Sequence, residues 1–495
     1  MMRHLGSSSS VRHPPGGYAM RFRTILCGAI TVVFVPAMLF AQNTPLSQIL
    51  PNLLLGGVTM PSTTQTVAGN PHDAHFIAAL GQNQAPFAIN KLVVGQLDTF
   101  PIGSSSGGFV FNFDPGTGLF KPASQSFGPG FAERALTNGR RRFGFGVNYQ
   151  HLEFQSYEGT DLQNGALSFV LQHNDCCAPF PGLDDPFFEG DLVKMSLSLA
   201  VKTDVVAPFM SYGLSSRWDV GVVVPIVRVS LNPTITSTID RIASASNPLI
   251  HSWDGLGQTT KVTTASGTAT GIGDIVLRTK YRFADWAHGG LAGDVDVRLP
   301  SGDKENLLGT GAVQTKVLLI ASGEFSRVAP HLNLGYTFSS GSLSSSLTTL
   351  PPSSLPANAN TQSQVSSESG VALVDTKLPK EVNYVAGIDI AAHSLLTISA
   401  DFVGRTELDT QRFGLVSQTY LFRTVNGGPL SSTSRDTFAS TSTGSLNLLL
   451  GVVGAKFNIP GTPLLLTGSV LFPLTDAGLK AKVTPVVGLD YSFNK

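Results

Sequence analysis

The sequence predicts an all-β fold, a transmembrane antiparallel up-and-down β-barrel preceded by a short N-terminal helical segment. Three observations carry this: many strands with charge on one face only, connections that alternate short and long, and an export signal followed by no further spanning helix. The first is clearest over residues 271–300. Asp274, Val276, Arg278, Lys280 and Arg282 fall on one face of a period-two pattern, and Ile275, Leu277, Thr279, Tyr281 and Phe283 on the other. After a turn centred near Ala287 the pattern resumes, with Leu291, Val295, Val297 and Leu299 opposed to Asp294, Asp296 and Arg298. That register sets Lys280 opposite Asp294 and Arg278 opposite Asp296, so charges of opposite sign meet across the hairpin. A soluble sandwich alternates too, with its apolar face in a core. The rest of the chain has to decide between core and lipid.

From Met20 the chain runs Arg21, Arg23, an apolar stretch over 25–40 and then Ala41. Basic, apolar and small residues in that order make a secretory signal over 20–41, cleaved after Ala41. An anchor helix is the alternative, disfavoured by Pro36 and by the short run. Residues 1–19 read as sequence upstream of the true start. No later run reaches the ~18 apolar residues a spanning helix needs. An exported chain that crosses a membrane without helices must close its sheet, because an open edge leaves backbone groups unpaired in lipid. Composition agrees: only 13% of residues are charged, about half the usual share, while mean hydropathy is +0.15, too apolar for disorder. Lys plus Arg and Asp plus Glu each number 33, so no basic excess points to nucleic acid.

Residues 42–105 differ from the rest of the mature chain. Short helical patterns over 45–55 and 75–80, broken by Pro and Gly, suggest a plug or a periplasmic segment, and the barrel is assigned to 106–495. Residues 107–114 are the first convincing strand. In 143–157, Phe143, Phe145, Val147 and Tyr149 alternate with Gly144, Gly146, Asn148 and Gln150, which suits a barrel wall with aromatics outward. Residues 165–173 come next, then 191–212, whose alternation runs through Met195, Leu197, Leu199, Val201, Val205 and Phe209. Later connections alternate: 213–217 short, 237–270 long, 284–289 short, 301–310 longer, 322–326 short, 339–380 very long, 391–394 short, 406–443 very long and 459–462 short. Short turns at one end and long loops at the other are the habit of outer-membrane barrels, and the phase predicts about fourteen strands within a range of about twelve to sixteen. The last strand, 480–493, places Val483, Val487, Leu489, Tyr491 and Phe493 outward and Lys480, Lys482, Thr484, Gly488, Asp490 and Ser492 inward, and Asn494 and Lys495 follow the aromatic Phe493 on which such a barrel usually finishes.

Motifs for chemistry are weak. The Gly-Ser-Ser-Ser-Gly run at 103–107 fits a nucleophile-elbow formula, but that motif needs a strand before it and a helix after it. His72, Asp73 and His75 lack a further ligand at fixed spacing. Cys176 and Cys177 are adjacent in an oxidising compartment, open to a strained loop disulfide, to pairing between chains or to staying reduced. No metal and no cofactor is expected, and no enzymatic activity. The inward charged face is the candidate solute path: Asp274, Arg278, Lys280, Asp294, Asp296, Arg298, Lys316, Asp389, Asp401 and Arg405. The competing reading of these residues is a charge ladder that satisfies itself and keeps the lumen wet.

Several stretches, among them SFGPGFAERALTNGRRRFGFGVNYQ, FFEGDLVKMSLSLAVKTDVV, GIGDIVLRTKYRF and VAPHLNLGYTF, resemble the outer-membrane transporter family named after the meta-pathway of phenol degradation. The resemblance implies a Gram-negative outer-membrane barrel that imports small apolar or aromatic compounds passively, with lipid, the barrel-assembly machinery and a small-molecule solute as partners. No functional residue is carried over by it. The alternative function is a structural or adhesive scaffold that displays two long extracellular loops without transport.

Overall fold

The structure is a computed structural model that describes residues 44–55, 76–78, 89–90, 93–95, 111–114, 119–122, 124–173, 187–246, 250–340, 378–425 and 427–493. The expected signal at 20–41, His72, Asp73, Cys176 and Cys177 lie outside them. Twelve strands close into a cycle, and only these are numbered: β1 (Phe143–Tyr157), β2 (Leu192–Gly213), β3 (Trp218–Val223 with Ile226–Asp240), β4 (Thr260–Thr264, Gly267–Ile272 and Val276–Trp286), β5 (Gly289–Arg298) and β6 (Val313–Gly323). The second half is β7 (Val328–Ser340), β8 (Lys380–His393), β9 (Leu396–Phe422), β10 (Ser431–Asn458), β11 (Leu464–Pro473) and β12 (Thr484–Phe493). Each pairs antiparallel with the next, and β12 returns to β1 through pairs such as Val487 with Tyr149 and Tyr491 with Phe145. β3 and β4 are interrupted rather than ended: Pro225 has no N–H to give the ladder, and its carbonyl instead accepts the Gly273 amide at 2.8 Å.

The two faces segregate as the sequence predicts around the half of the barrel nearer the short turns. Outward, Phe145, Trp218, Tyr281, Leu334, Phe402 and Val487 are exposed, while inward Asn148, Lys280, Asp294, His331 and Asp401 are buried. Apolar side chains left this open all round a closed sheet match a belt facing hydrocarbon and not water.

Above that belt the rule inverts. β2 has 22 residues, β9 has 27 and β10 has 28, whereas a tilted spanning strand needs ~9–11. In the upper part of β2 the inward residues are Val193, Met195, Leu197, Leu199 and Val201, all buried, and the outward ones are Lys194, Ser196, Ser198 and Lys202. The outer half of the wall, a tower above the belt, is therefore built like a soluble protein, polar outside and apolar inside. Helix Leu46–Leu55 packs into that interior against β3 and β4, and Leu46, Leu50 and Leu54 join Leu231, Phe154 and Phe438 in one apolar cluster.

Four expectations need correction. The closed cycle holds twelve strands, the lower end of the expected range and not its centre of about fourteen, because two segments counted as strands lie outside it. Phe111–Asp114 pairs with Leu119–Pro122 as a separate hairpin, and Leu167–His173 continues the wall beside upper β2, above the point where β1 leaves it. The helical pattern at 75–80 is instead a strand at Phe76–Ala78, paired with Leu171 to His173. The loop expected over 406–443 is largely extended ladder, since β9 and β10 pair out to Phe422 and Ser431, and the loop expected over 237–270 is shortened by the pairing of Thr260–Thr264 and Gly267–Ile272 with β3. Finally, Lys482 is exposed and not inward, since the parity of the last strand slips between Ala481 and Thr484: Ala481 and Val486 are both buried while Val483 is half exposed.

Candidate solute path through the barrel

Hairpin β4–β5 supplies the base of the site. Its register is Arg278 with Asp296 and Lys280 with Asp294, which puts two cations and two carboxylates on one inward patch. Arg278 forks onto Asp296, donating from Nε at 2.6 Å to Oδ1 and from Nη2 at 2.7 Å to Oδ2. A planar guanidinium suits that bidentate geometry. Lys280 has no exposed surface, and an ammonium withdrawn from water costs several kcal/mol (roughly) unless it is paired. Its partner comes from outside the sheet. Glu133 accepts from Lys280 Nζ at 2.9 Å through Oε2 and from Arg278 Nη1 through Oε1.

Glu133 belongs to residues 124–142, a segment without regular structure that crosses the lumen at the short-turn end. Contacts fix it along its length. The Phe127 amide donates to Thr397 Oγ1 at 3.0 Å, that of Ala135 to Ser322 Oγ at 2.9 Å and that of Asn138 to Asp219 Oδ2 at 2.8 Å. Where the segment joins β1, Gly139 and Gly213 lie so close that a β-carbon on Gly213 would fall 1.9 Å from the Gly139 carbonyl oxygen. Only glycine permits that approach. A buried backbone needs every amide satisfied, and side chains of the wall do it here in place of a ladder.

The remaining predicted residues divide into four groups. Asp389 and Asp401 flank His331, whose Nε2 lies 2.6 Å from Asp401 and whose Nδ1 lies 3.6 Å from Asp389. Arg405 bridges Glu381 at 3.3 Å and Glu407 at 3.1 Å. Asp274 does not join the path: it accepts from the amides of Gly302 at 2.9 Å and Thr310 at 2.8 Å, pinning the β5–β6 connection. Arg298 and Lys316 are half-buried on the inner wall. They border a cavity of about 190 Å³ above Glu133, together with Arg278, Asp296, Leu152 and Phe154.

That cavity reaches the wall where β11 and β12 part. Their ladder ends at the pair Leu471 with Thr484, and Leu479–Ala481 pairs with β1 instead. Pro473, Thr475 and Ala477 of the connection border the cavity between these two points.

Residues missed by the sequence reading are Glu133, Arg134, His331, Asn333, Glu381 and Glu407. His331 and Asn333 alternate with Leu332 and Leu334 along β7, so alternation could have found them. Glu133 and Arg134 sit in a segment with no period, which gives no face and no partner.

No family model matches the chain, and no curated protein matches it. Among solved structures it is similar to an outer membrane channel from Pseudomonas putida F1, at 12% identity and a TM-score of 0.35, over 72% of this chain and 98% of that one. It is also similar to a Pseudomonas aeruginosa FadL homologue, at 11% identity and a TM-score of 0.30, over 80% and 99% of the two chains. The toluene transporter of Ralstonia pickettii aligns at 10% identity and a TM-score of 0.27, over 80% of this chain and all (100%) of that one.

Proposed function

We propose that this chain is a Gram-negative outer-membrane transporter that lets small molecules with apolar bodies pass down their gradient, without chemistry on the solute. One observation supports the reading above the others. A cavity of about 190 Å³ lies inside the barrel between the apolar interior of the tower and the charged crossing at residues 124–142, and its border includes the place where β11 and β12 separate. A solute gathered by the apolar interior would enter the cavity, meet Glu133 below, and leave sideways past Pro473, Thr475 and Ala477 into the bilayer. This route spares the network of ion pairs at the base. In that role Arg278, Lys280 and Asp294 seal the bore and are not themselves a path.

The test uses cells with an intact lipopolysaccharide-bearing outer membrane. Expression of the chain should raise the uptake of radiolabelled naphthalene severalfold over cells with an empty vector, and Ala481→Trp, which fills the cavity from the side of the seam, should remove most of that gain. If folded wild-type barrels at the surface give no gain, the chain is a scaffold for its projecting hairpin and loops. If they give a gain that Ala481→Trp leaves intact, the solute does not use this cavity.

A further inference from the structure

The charges around the cavity are not evenly matched, and this leads beyond passage of apolar bodies. We infer that the cavity selects amphiphiles, small aromatic or short-chain carboxylates whose anionic group docks on Lys316 and Arg298; the inference rests on the transport reading and names its substrate class.

Three observations converge. The first is topological. Lys316 and Arg298 stand on β6 and β5, and the apolar wall of the same cavity comes from Leu152 and Phe154 on β1, Leu450 on β10 and Leu471 on β11. In a cycle of twelve strands, β5 and β6 are on the side opposite β11 and β12. A molecule spanning the cavity thus meets Arg298 and Lys316 at one end and chiefly hydrocarbon at the other, where Lys480 is paired with Asp476.

The second is register. Asp296 pairs with Lys316 and Arg298 with Gln314, which makes Arg298 and Lys316 diagonal neighbours on one face, with β-carbons ~7–8 Å apart. Side chains of their length can converge on a single carboxylate from that distance.

The third is the balance of charge. Asp296 is the nearest carboxylate to Lys316, but both its oxygens already accept from Arg278 at 2.6 and 2.7 Å, and Lys316 Nζ stands 3.5 Å away with 30% of its side chain exposed. Across the cavity Arg405 is held by two carboxylates, Glu381 and Glu407. Lys316 is therefore less fully answered by carboxylates of the described residues than Arg278 or Arg405 is, and inside a low-dielectric enclosure an anion beside it is favoured far more than in water. Apolar contact supplies the rest of the binding, as in ligand sites where a few polar groups orient a mainly apolar molecule. The cavity volume corresponds to roughly a dozen water positions, room for one ring and its carboxylate.

The test compares two probes of one shape, benzoate and nitrobenzene, by equilibrium dialysis against the full chain in detergent, with detergent-only blanks. Benzoate is expected to bind more tightly, and added salt should weaken benzoate but not nitrobenzene. Lys316→Gln should weaken benzoate about tenfold, adding Arg298→Gln should weaken it further, and Lys316→Arg should restore most of the loss, with nitrobenzene unchanged throughout. The rescue by arginine separates a docking role from a folding role. Nitrobenzene binding as well as benzoate to the wild type, or benzoate indifferent to Lys316→Gln and to salt, overturns the inference and leaves the apolar transporter standing. Failure of both probes to bind overturns the two readings together.

Discussion

Asn333 and Glu133 hold each other twice: the Glu133 amide donates to Asn333 Oδ1 at 2.8 Å, and Asn333 Nδ2 donates back to the Glu133 carbonyl at 2.8 Å. The side chain of a wall residue thus copies the pair of hydrogen bonds that a neighbouring strand would make, and it docks a non-strand segment across the lumen. Asn333→Leu keeps the volume and removes both bonds, leaving a buried amide and carbonyl unpaired at a cost of about 1–3 kcal/mol. With residues 124–142 loosened at their midpoint, planar-bilayer recordings should show discrete current steps that the wild type lacks. A variant as silent as the wild type, yet fully folded, would mean that the crossing segment is not what closes the bore.

Removing the charge of Glu133 tests the base in a different way. Lys280 is fully buried and receives its carboxylate from Glu133 alone among the described residues. Glu133→Gln leaves that ammonium facing a neutral amide, and breaking one half of a buried pair typically costs about 3–5 kcal/mol. The temperature at which the barrel loses its compact gel mobility should fall by many degrees. Glu133→Gln combined with Lys280→Met should recover much of the loss, because the penalty comes from the stranded charge.

The wall was far more legible in the sequence than its contents. Alternation gave the faces of β4 and β5 and even the pairing of Arg278 with Asp296, because a period of two is the whole rule for a strand with lipid on one side and water on the other. The same rule could not say where lipid stops. Leu197, Leu199 and Val201 alternate as cleanly as Leu277, Thr279 and Tyr281, but the first group points inward and the second outward. Periodicity reveals that two faces differ and is blind to which faces out. Strand count failed for a related reason: Leu167–His173 has the pattern of a barrel strand and replaces β1 higher up the wall instead of adding to the circumference. As for the site, inward charges could be named one by one, yet their organiser could not, since the partners of Glu133, namely Arg278, Lys280 and Asn333, are all distant in sequence.

At the tower end, Asp254 closes a turn by accepting from the amides of Leu256 at 2.8 Å and Gln258 at 3.0 Å. These bonds, that from Gln258 first, hold its carboxyl below the usual carboxylate range. A lowered native pKa means that the contribution is complete above the unfolded value of ~3.9 and is lost as pH falls through the native value. Trp253, whose indole donates to the Thr259 carbonyl at 2.9 Å, reports on the same turn. In a Trp218→Phe, Trp286→Phe background, its fluorescence should stay constant from neutral pH to about 5 and shift only in more acid solution. Asp254→Asn should flatten that transition.

Inversion of the wall makes the sharpest prediction about where the bilayer lies. Leu334 is outward on β7 and 48% exposed, in the belt, whereas Asn232 is outward on upper β3, exposed beside Ser230. Both point away from the lumen, so a picture in which lipid covers the full height of the wall treats them alike. If lipid covers only the belt, Leu334→Arg forces a guanidinium into hydrocarbon at about 2–4 kcal/mol near the midplane, while Asn232→Arg stays within about 1 kcal/mol of neutral. Urea unfolding in lipid vesicles measures both. Equal losses at the two positions would place the tower in the membrane and would require its apolar interior to be read as lumen facing water, which the burial of Leu197, Leu199 and Leu231 at 0% exposure opposes.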